Sequence, residues 1–130
     1  MDDSSSYVGL NQIGQIAINV HDVRRAIAFY RDTLGMKLLF EIPSAAFFQC
    51  GDMRMMLSLP EKPEFDHAAS IIYYKVADIQ AAFQTLTSRG VQFEGAPHLI
   101  ARMPDYDLWM AFFRDSEANL LALISEVPHR

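Results

Sequence analysis

Proton transfer and ligand capture need His, Lys, Arg, Tyr or Cys side chains brought together, and this chain spaces them thinly. The densest group lies in "PHLIARMPDYDLW", a segment bracketed by Pro97 and Pro104 that carries His98, Arg102 and Tyr106. A histidine can shuttle a proton near neutral pH. An arginine fork can hold a carboxylate, and a tyrosine can stack on a ring. Loops at a cleft mouth often carry such residues, although a surface histidine is the competing expectation for His98. Of the remaining histidines, His21 flanks the first helix, His67 sits in a polar linker and His129 near the C-terminal end. Cys50 has no His or Lys close to it in sequence, so it reads as a small apolar residue rather than a reactive thiol. The chain has no Gly-rich phosphate loop, no Cys-x-x-Cys and no Ser-His-Asp pattern. The Met-rich "DMRMMLSL" reads as a strand face, in a residue type that suits an adaptable pocket.

Composition bounds what these residues can serve. A chain of 130 residues, 51% apolar, is long enough for one domain with a real core. A net charge of -5 gives no electrostatic footprint for nucleic acid. No apolar run has the length needed to cross a bilayer. The opening "MDDSSSYVGL" is acidic and polar, unlike a secretory signal, and residues 1–11 are expected to be a flexible tail. A single cysteine allows no internal disulfide and fits a cytoplasmic protein.

The elements that must position the polar residues come in two copies. "QIGQIAINV" alternates and is rich in Ile and Val, as a strand does. Asp22 then caps a helix whose stripe is Val23, Ile27, Tyr30 and Leu34, and Gly35 stops it. "MKLLFEI" is the next strand, and "AAFFQCG" with "MRMMLSL" forms a hairpin turning at Gly51-Asp52. After the linker "PEKPEFDHAAS" the order restarts. "SIIYYKV" is a strand, Asp78 a cap, Ile79, Phe83 and Leu86 a stripe, and Gly90 a stop. "VQFEG" is a short strand, and "DLWMAFFRD" and "NLLALISEV" form a hairpin. Val20 and Val76, Asp22 and Asp78, Val23 and Ile79, Ile27 and Phe83 all keep one offset, which marks a repeat. The expected fold class is α+β: two βαβββ repeats forming a curved mixed sheet with helices outside. Its limits are 12–60 for repeat one, 61–69 for the linker and 70–126 for repeat two, one domain over 12–126. The concave side makes a cleft suited to a small molecule.

With those elements in place, the chain resembles the vicinal oxygen chelate superfamily, the glyoxalase, bleomycin-resistance and extradiol dioxygenase group. The residues that carry the resemblance are "QIAINVHDVRRAIAFYRDTLGMKLLF", "GDMRMMLS" and "FFRDSEANLLAL". The last is similar to the family's Asp-Pro-Asp-Gly-Asn turn, with Ser116 for the proline and Ala118 for the glycine. If Ala118 keeps the glycine's positive φ, the cost is about 1 kcal/mol. The resemblance implies metal ligands at Gln15, Leu57, Ile71 and Ala122. Gln15 alone offers a donor, and a divalent ion needs three or more. No metal or other cofactor is therefore expected.

The resemblance and strand alternation together imply a ligand-binding cleft face made of Gln15, Ala17, Asn19, Met55, Leu57, Ile71, Tyr73, Lys75, Phe112 and Ala122. Leu59, Met110, Arg114, Leu120 and Ile124 extend this face, and His98 and Arg102 stand at its mouth. A filled core is the competing expectation for Leu57, Ile71, Phe112 and Ala122. Trp109 points away from the cleft by alternation. Three functions follow from the resemblance. The first is a metal-independent protein that binds a small apolar or aromatic molecule, as bleomycin-resistance proteins do, in a cytoplasmic homodimer. The second is a metal-free isomerase or lyase using Tyr73, Lys75 or His98. The third is a metal-dependent lyase or dioxygenase with relocated ligands. Lys75 and Arg114 favour a neutral or anionic ligand, and no catalytic residue is assigned.

Overall fold

The computed structural model describes residues 8–129. Residues 1–7 of the expected tail lie outside the described residues. The order is β1 (Gln15–Asn19), α1 (Val23–Ile27), β2 (Lys37–Ile42), β3 (Ala45–Cys50) and β4 (Met53–Ser58). It repeats as β5 (Ile72–Lys75), α2 (Ile79–Ser88), β6 (His98–Arg102), β7 (Tyr106–Arg114) and β8 (Leu120–Pro128). Each βαβββ unit makes a four-stranded mixed sheet, in order β1-β4-β3-β2 and β5-β8-β7-β6. The β1–β4 and β5–β8 pairs are parallel and the others antiparallel.

The helix signals act as their chemistry demands. Asp22 and Asp78 each accept a hydrogen bond from the amide three residues on, Arg25 at 3.0 Å and Ala81 at 3.1 Å. Gly35 and Gly90 follow the two helices at φ 78° and 92°, a conformation open to glycine at little steric cost. The first helix departs from the expected regular stripe. After Ile27 it widens into a π-helical turn over Ala28–Thr33. That turn carries Tyr30, which is fully buried.

One face of each sheet packs into a single core shared by both units, built around Ile18, Phe48, Met55, Leu57, Phe113 and Leu121. Trp109 packs against this core. A polar cluster also joins the units. The Tyr30 hydroxyl donates to the Asp115 carboxylate at 2.7 Å. The same carboxylate accepts the amides of Glu117 and Asn119, both at 2.8 Å, and the Asn119 side chain at 3.0 Å. Glu117 reaches across to the first helix. It accepts from Arg25 Nε at 2.7 Å and from the His21 amide at 3.0 Å. Thus the β7–β8 turn, "DSEAN", ties repeat two to the start of α1. Ala118 does hold the left-handed conformation, at φ 65°.

One strand is displaced from its expected place. "VQFEG" forms only an isolated bridge, Phe93 to Phe113. The strand beside β7 is instead His98–Arg102, inside the segment that its two prolines mark as a loop. Pro97 and Pro104 lie just outside that strand, where a missing N–H costs the ladder nothing.

Candidate ligand-binding face

Cross-strand partners share a face, so the register fixes what the concave side carries. In the first sheet three rows cross β1, β4, β3 and β2 in turn. The first is Gln15, Arg54, Gln49 and Lys37. The second is Ala17, Met56, Phe47 and Phe40, and the third is Asn19, Ser58, Ala45 and Ile42. The middle row is apolar. Phe40 and Phe47 stack with centroids 4.4 Å apart, and Phe40 is 51% exposed. A hollow of about 440 Å³ lies over the third row and the neighbouring Phe47 and Met56, with Leu59 beside them and Phe65 and Glu61 of the linker on its rim. Asn19 fixes that linker, its side-chain amide donating to the carbonyls of Phe65 at 2.6 Å and His67 at 3.2 Å.

This register corrects the sequence-based faces of β4. Met55 and Leu57 were expected in the cleft. They point to the helix side, 1% and 0% exposed, and Arg54, Met56 and Ser58 take the cleft positions. A shift of one residue exchanges every side chain between the two faces of a strand. A signal was present in the sequence: the polar residues Arg54 and Ser58 share one parity with Met56, whereas Met53, Met55 and Leu57 are apolar throughout.

The second sheet presents Tyr73, Ala122 and Phe112 in one row and Lys75, Ile124, Met110 and His98 in the next. Tyr73 meets the Phe112 ring edge-on at 5.9 Å. Lys75 pairs with Glu126, and Arg114 with Glu94, each at 3.3 Å. His98 Nδ1 lies 3.3 Å from the Ala96 carbonyl. Arg102 does not share this face. A register shift between Leu99 and Ala101 turns it to the opposite side, where it meets Asp107 at 3.3 Å; His129 approaches the same carboxylate at 2.9 Å. Ala122 is fully buried, whereas Ile71 and Tyr73 are 40% and 44% exposed. The two concave faces approach at the β1–β5 seam, where Ala17, Ile71 and Tyr73 border a hollow of about 480 Å³.

Two features escaped the sequence reading. A third hollow, about 440 Å³, lies on the helix side between α2 and the first unit, lined by Met36, Cys50, Tyr74 and Leu86 among others. Burial raises the Cys50 thiol pKa, and burial together with the neighbouring Cys50 and Asp115 raises that of the Tyr74 hydroxyl, so both favour their neutral forms. The other is a His21–Asp66 pair at 3.0 Å, which brings the linker onto the residue just before α1.

The donor set does not fit the divalent ion that the resemblance associates with Gln15. The Gln15 side-chain oxygen accepts a hydrogen bond from Arg54 Nε at 2.7 Å, which places a positive charge beside it and disfavours a second cation there. Ile71 and Ala122 have no donor atom. Among the described residues no group of three or more His, Cys, Asp or Glu is placed to hold a metal, nor is any helix long and apolar enough to cross a membrane.

Comparison with known proteins agrees with this fold. Residues 12–123 match the model of the Glyoxalase/Bleomycin resistance protein/Dioxygenase superfamily. The chain is 26% identical over 123 residues to the uncharacterized protein YraH of Bacillus subtilis, covering 84% of this chain and 94% of that one. A superfamily member from Sphaerobacter thermophilus is 27% identical, with TM-score 0.74 over 90% of this chain and 98% of that one. TnmS3, an antibiotic binding protein from Streptomyces, is similar in fold, with TM-score 0.73 at 20% identity over 92% and 99% of the two chains. Two four-stranded sheets of βαβββ units and a family match spanning both repeats lead to one conclusion: the chain belongs to the glyoxalase/bleomycin resistance protein/dioxygenase superfamily.

Proposed function

We propose that this chain, as one domain over residues 12–126, binds a small apolar or aromatic molecule on its concave face without an inherited divalent metal. The observation that carries the reading is the outward-facing apolar row Ala17, Met56, Phe47 and Phe40, of which Met56 and Phe47 line a hollow of about 440 Å³. Apolar surface left facing water is costly, at about 25 cal/mol per Å², and a concave apolar surface with a few polar groups is the usual form of a ligand site. Tyr73, Phe112 and Ile71 extend this surface on the second sheet. A protein of the same fold is an antibiotic-binding protein, so ligand holding is a use to which the fold lends itself. The exposed rings also favour a homodimer in which a second copy closes the cup, and the single cysteine favours the cytoplasm.

The test is dye and ligand binding. Wild-type protein is expected to enhance the fluorescence of a hydrophobic naphthalene dye, and Met56→Asp to lose that enhancement while melting cooperatively. An unpaired carboxylate on an apolar wall must shed its water before a ligand can cover it. Unchanged dye binding by Met56→Asp, or a wild type that binds no member of an aromatic panel, would refute the proposal. Elemental analysis of dialysed protein is expected to find less than one equivalent of divalent metal.

A further inference from the structure

We propose that the first sheet's concave face is specific for a monoanionic amphipathic ligand, an aromatic or aliphatic carboxylic acid whose acid group lies on Arg54. This rests on the ligand-binding reading above and adds its chemical class. Arg54 is built into the face. Gln15 holds its Nε at 2.7 Å, and its Cζ stands 5.9 Å from the centroid of the Phe47 ring. Among the described residues neither Nη1 nor Nη2 has a hydrogen-bond partner. With Nε engaged, the free edge of the guanidinium is its Nη1–Nη2 pair, which can receive both oxygens of one carboxylate.

The surroundings fit an anion at this end. Lys37 lies two strands further along the same row, separated by Gln49, so it is roughly 10 Å away at the usual strand spacing. The three rows of this sheet face contain no Asp or Glu. The cations of the second sheet's face differ, since Lys75 and Arg114 are already paired with Glu126 and Glu94. In a chain of net charge -5, the Arg54–Lys37 row is a local reversal of sign.

The far end limits the ligand. Glu61 stands on the rim of the hollow that Phe47, Met56 and Ser58 line. Arg54 and Ser58 are four residues apart on β4, roughly 13 Å at about 3.3 Å per residue. A molecule anchored on Arg54 with its body over Phe47 and Met56 therefore approaches a carboxylate. A second acid group there would be repelled, so a single acid is favoured.

The experiment compares 2-naphthoate with 2-naphthamide, matched in ring and size, by calorimetric titration of the full chain. Wild type is expected to bind the acid about tenfold or more tightly, with the preference shrinking as salt is raised. Arg54→Gln should abolish the preference by weakening the acid about tenfold more than it weakens the amide. Arg54→Lys, which keeps the charge and loses the fork, should retain part of it. Equal binding of the two probes by wild type, or a preference that survives in Arg54→Gln, overturns the acid specificity and leaves the ligand-binding reading standing. If neither probe nor any neutral aromatic binds wild type, both fall together.

Discussion

Leu57 and Met56 are neighbours on β4 that the fold sends to opposite faces, and truncating each in turn measures which face is core. Leu57 is fully buried among Ile18, Met55 and Phe48. Leu57→Ala removes three carbon atoms, worth about 0.8 kcal/mol each in transfer from water, or roughly 2.4 kcal/mol. The closely packed surroundings cannot close the gap fully, and the cavity brings the total to about 2–5 kcal/mol. That is a large share of the roughly 5–15 kcal/mol by which a domain is stable. Met56 faces the open hollow and is half-buried, so its truncation opens no cavity and should cost about 1 kcal/mol or less. Urea unfolding followed by the fluorescence of Trp109, which packs against the core, gives both values if the slope is unchanged. Equal costs, or a larger cost at Met56, would refute the register and with it the cleft described above.

Other expectations concern the joint between repeats. Tyr30→Phe deletes the donor to Asp115 and should cost about 1–3 kcal/mol in the same urea assay, since a buried carboxylate loses a partner. Ala118→Gly should raise stability by about 0.5–1 kcal/mol, because Ala118 sits at φ 65°; a drop in the melting temperature would contradict this. Burial pulls the Glu117 carboxyl pKa up, but hydrogen bonds from Arg25 and the His21 amide pull it down further, below the ordinary range. Its contribution is then fully present above the unfolded value of about 4.3 and is lost as pH falls through the lower folded value. Wild type should lose more stability than Glu117→Gln between about pH 5 and pH 3, and parallel pH profiles would exclude this role.

Elements defined by local chemistry were legible in the sequence, and positions that depend on tertiary register were not. Asp22, Asp78, Gly35 and Gly90 mark helix ends through the capping and steric properties of those residue types, and all four stand where those rules put them. The repeat was legible because both units need the same cap, stripe and strand end. The faces of β4 failed by one residue: a motif aligned to Leu57 outweighed the polar parity of Arg54 and Ser58. Arg102 failed for a similar cause, since the shift between Leu99 and Ala101 reverses its face and no bulge is visible in "HLIAR". The π turn carries Tyr30, whose partner Asp115 lies far along the chain, and no local pattern announces that contact. The partner of Gln15 is Arg54, a contact across the parallel β1–β4 pair that no local pattern in the sequence announces.

The most direct test of the concave face as a ligand site is methyl NMR of the methionines during titration with neutral 2-naphthamide. Met56 lines the concave hollow, Met36 the helix-side groove, and Met55 is enclosed in the core. Aromatic rings shift nearby methyl resonances strongly. A ligand on the concave face should give a saturable shift of the Met56 methyl, while Met36 and Met55 stay nearly still. A shift centred on Met36 with Met56 unmoved would place the ligand on the other side of the sheet and rule out the concave face as its site.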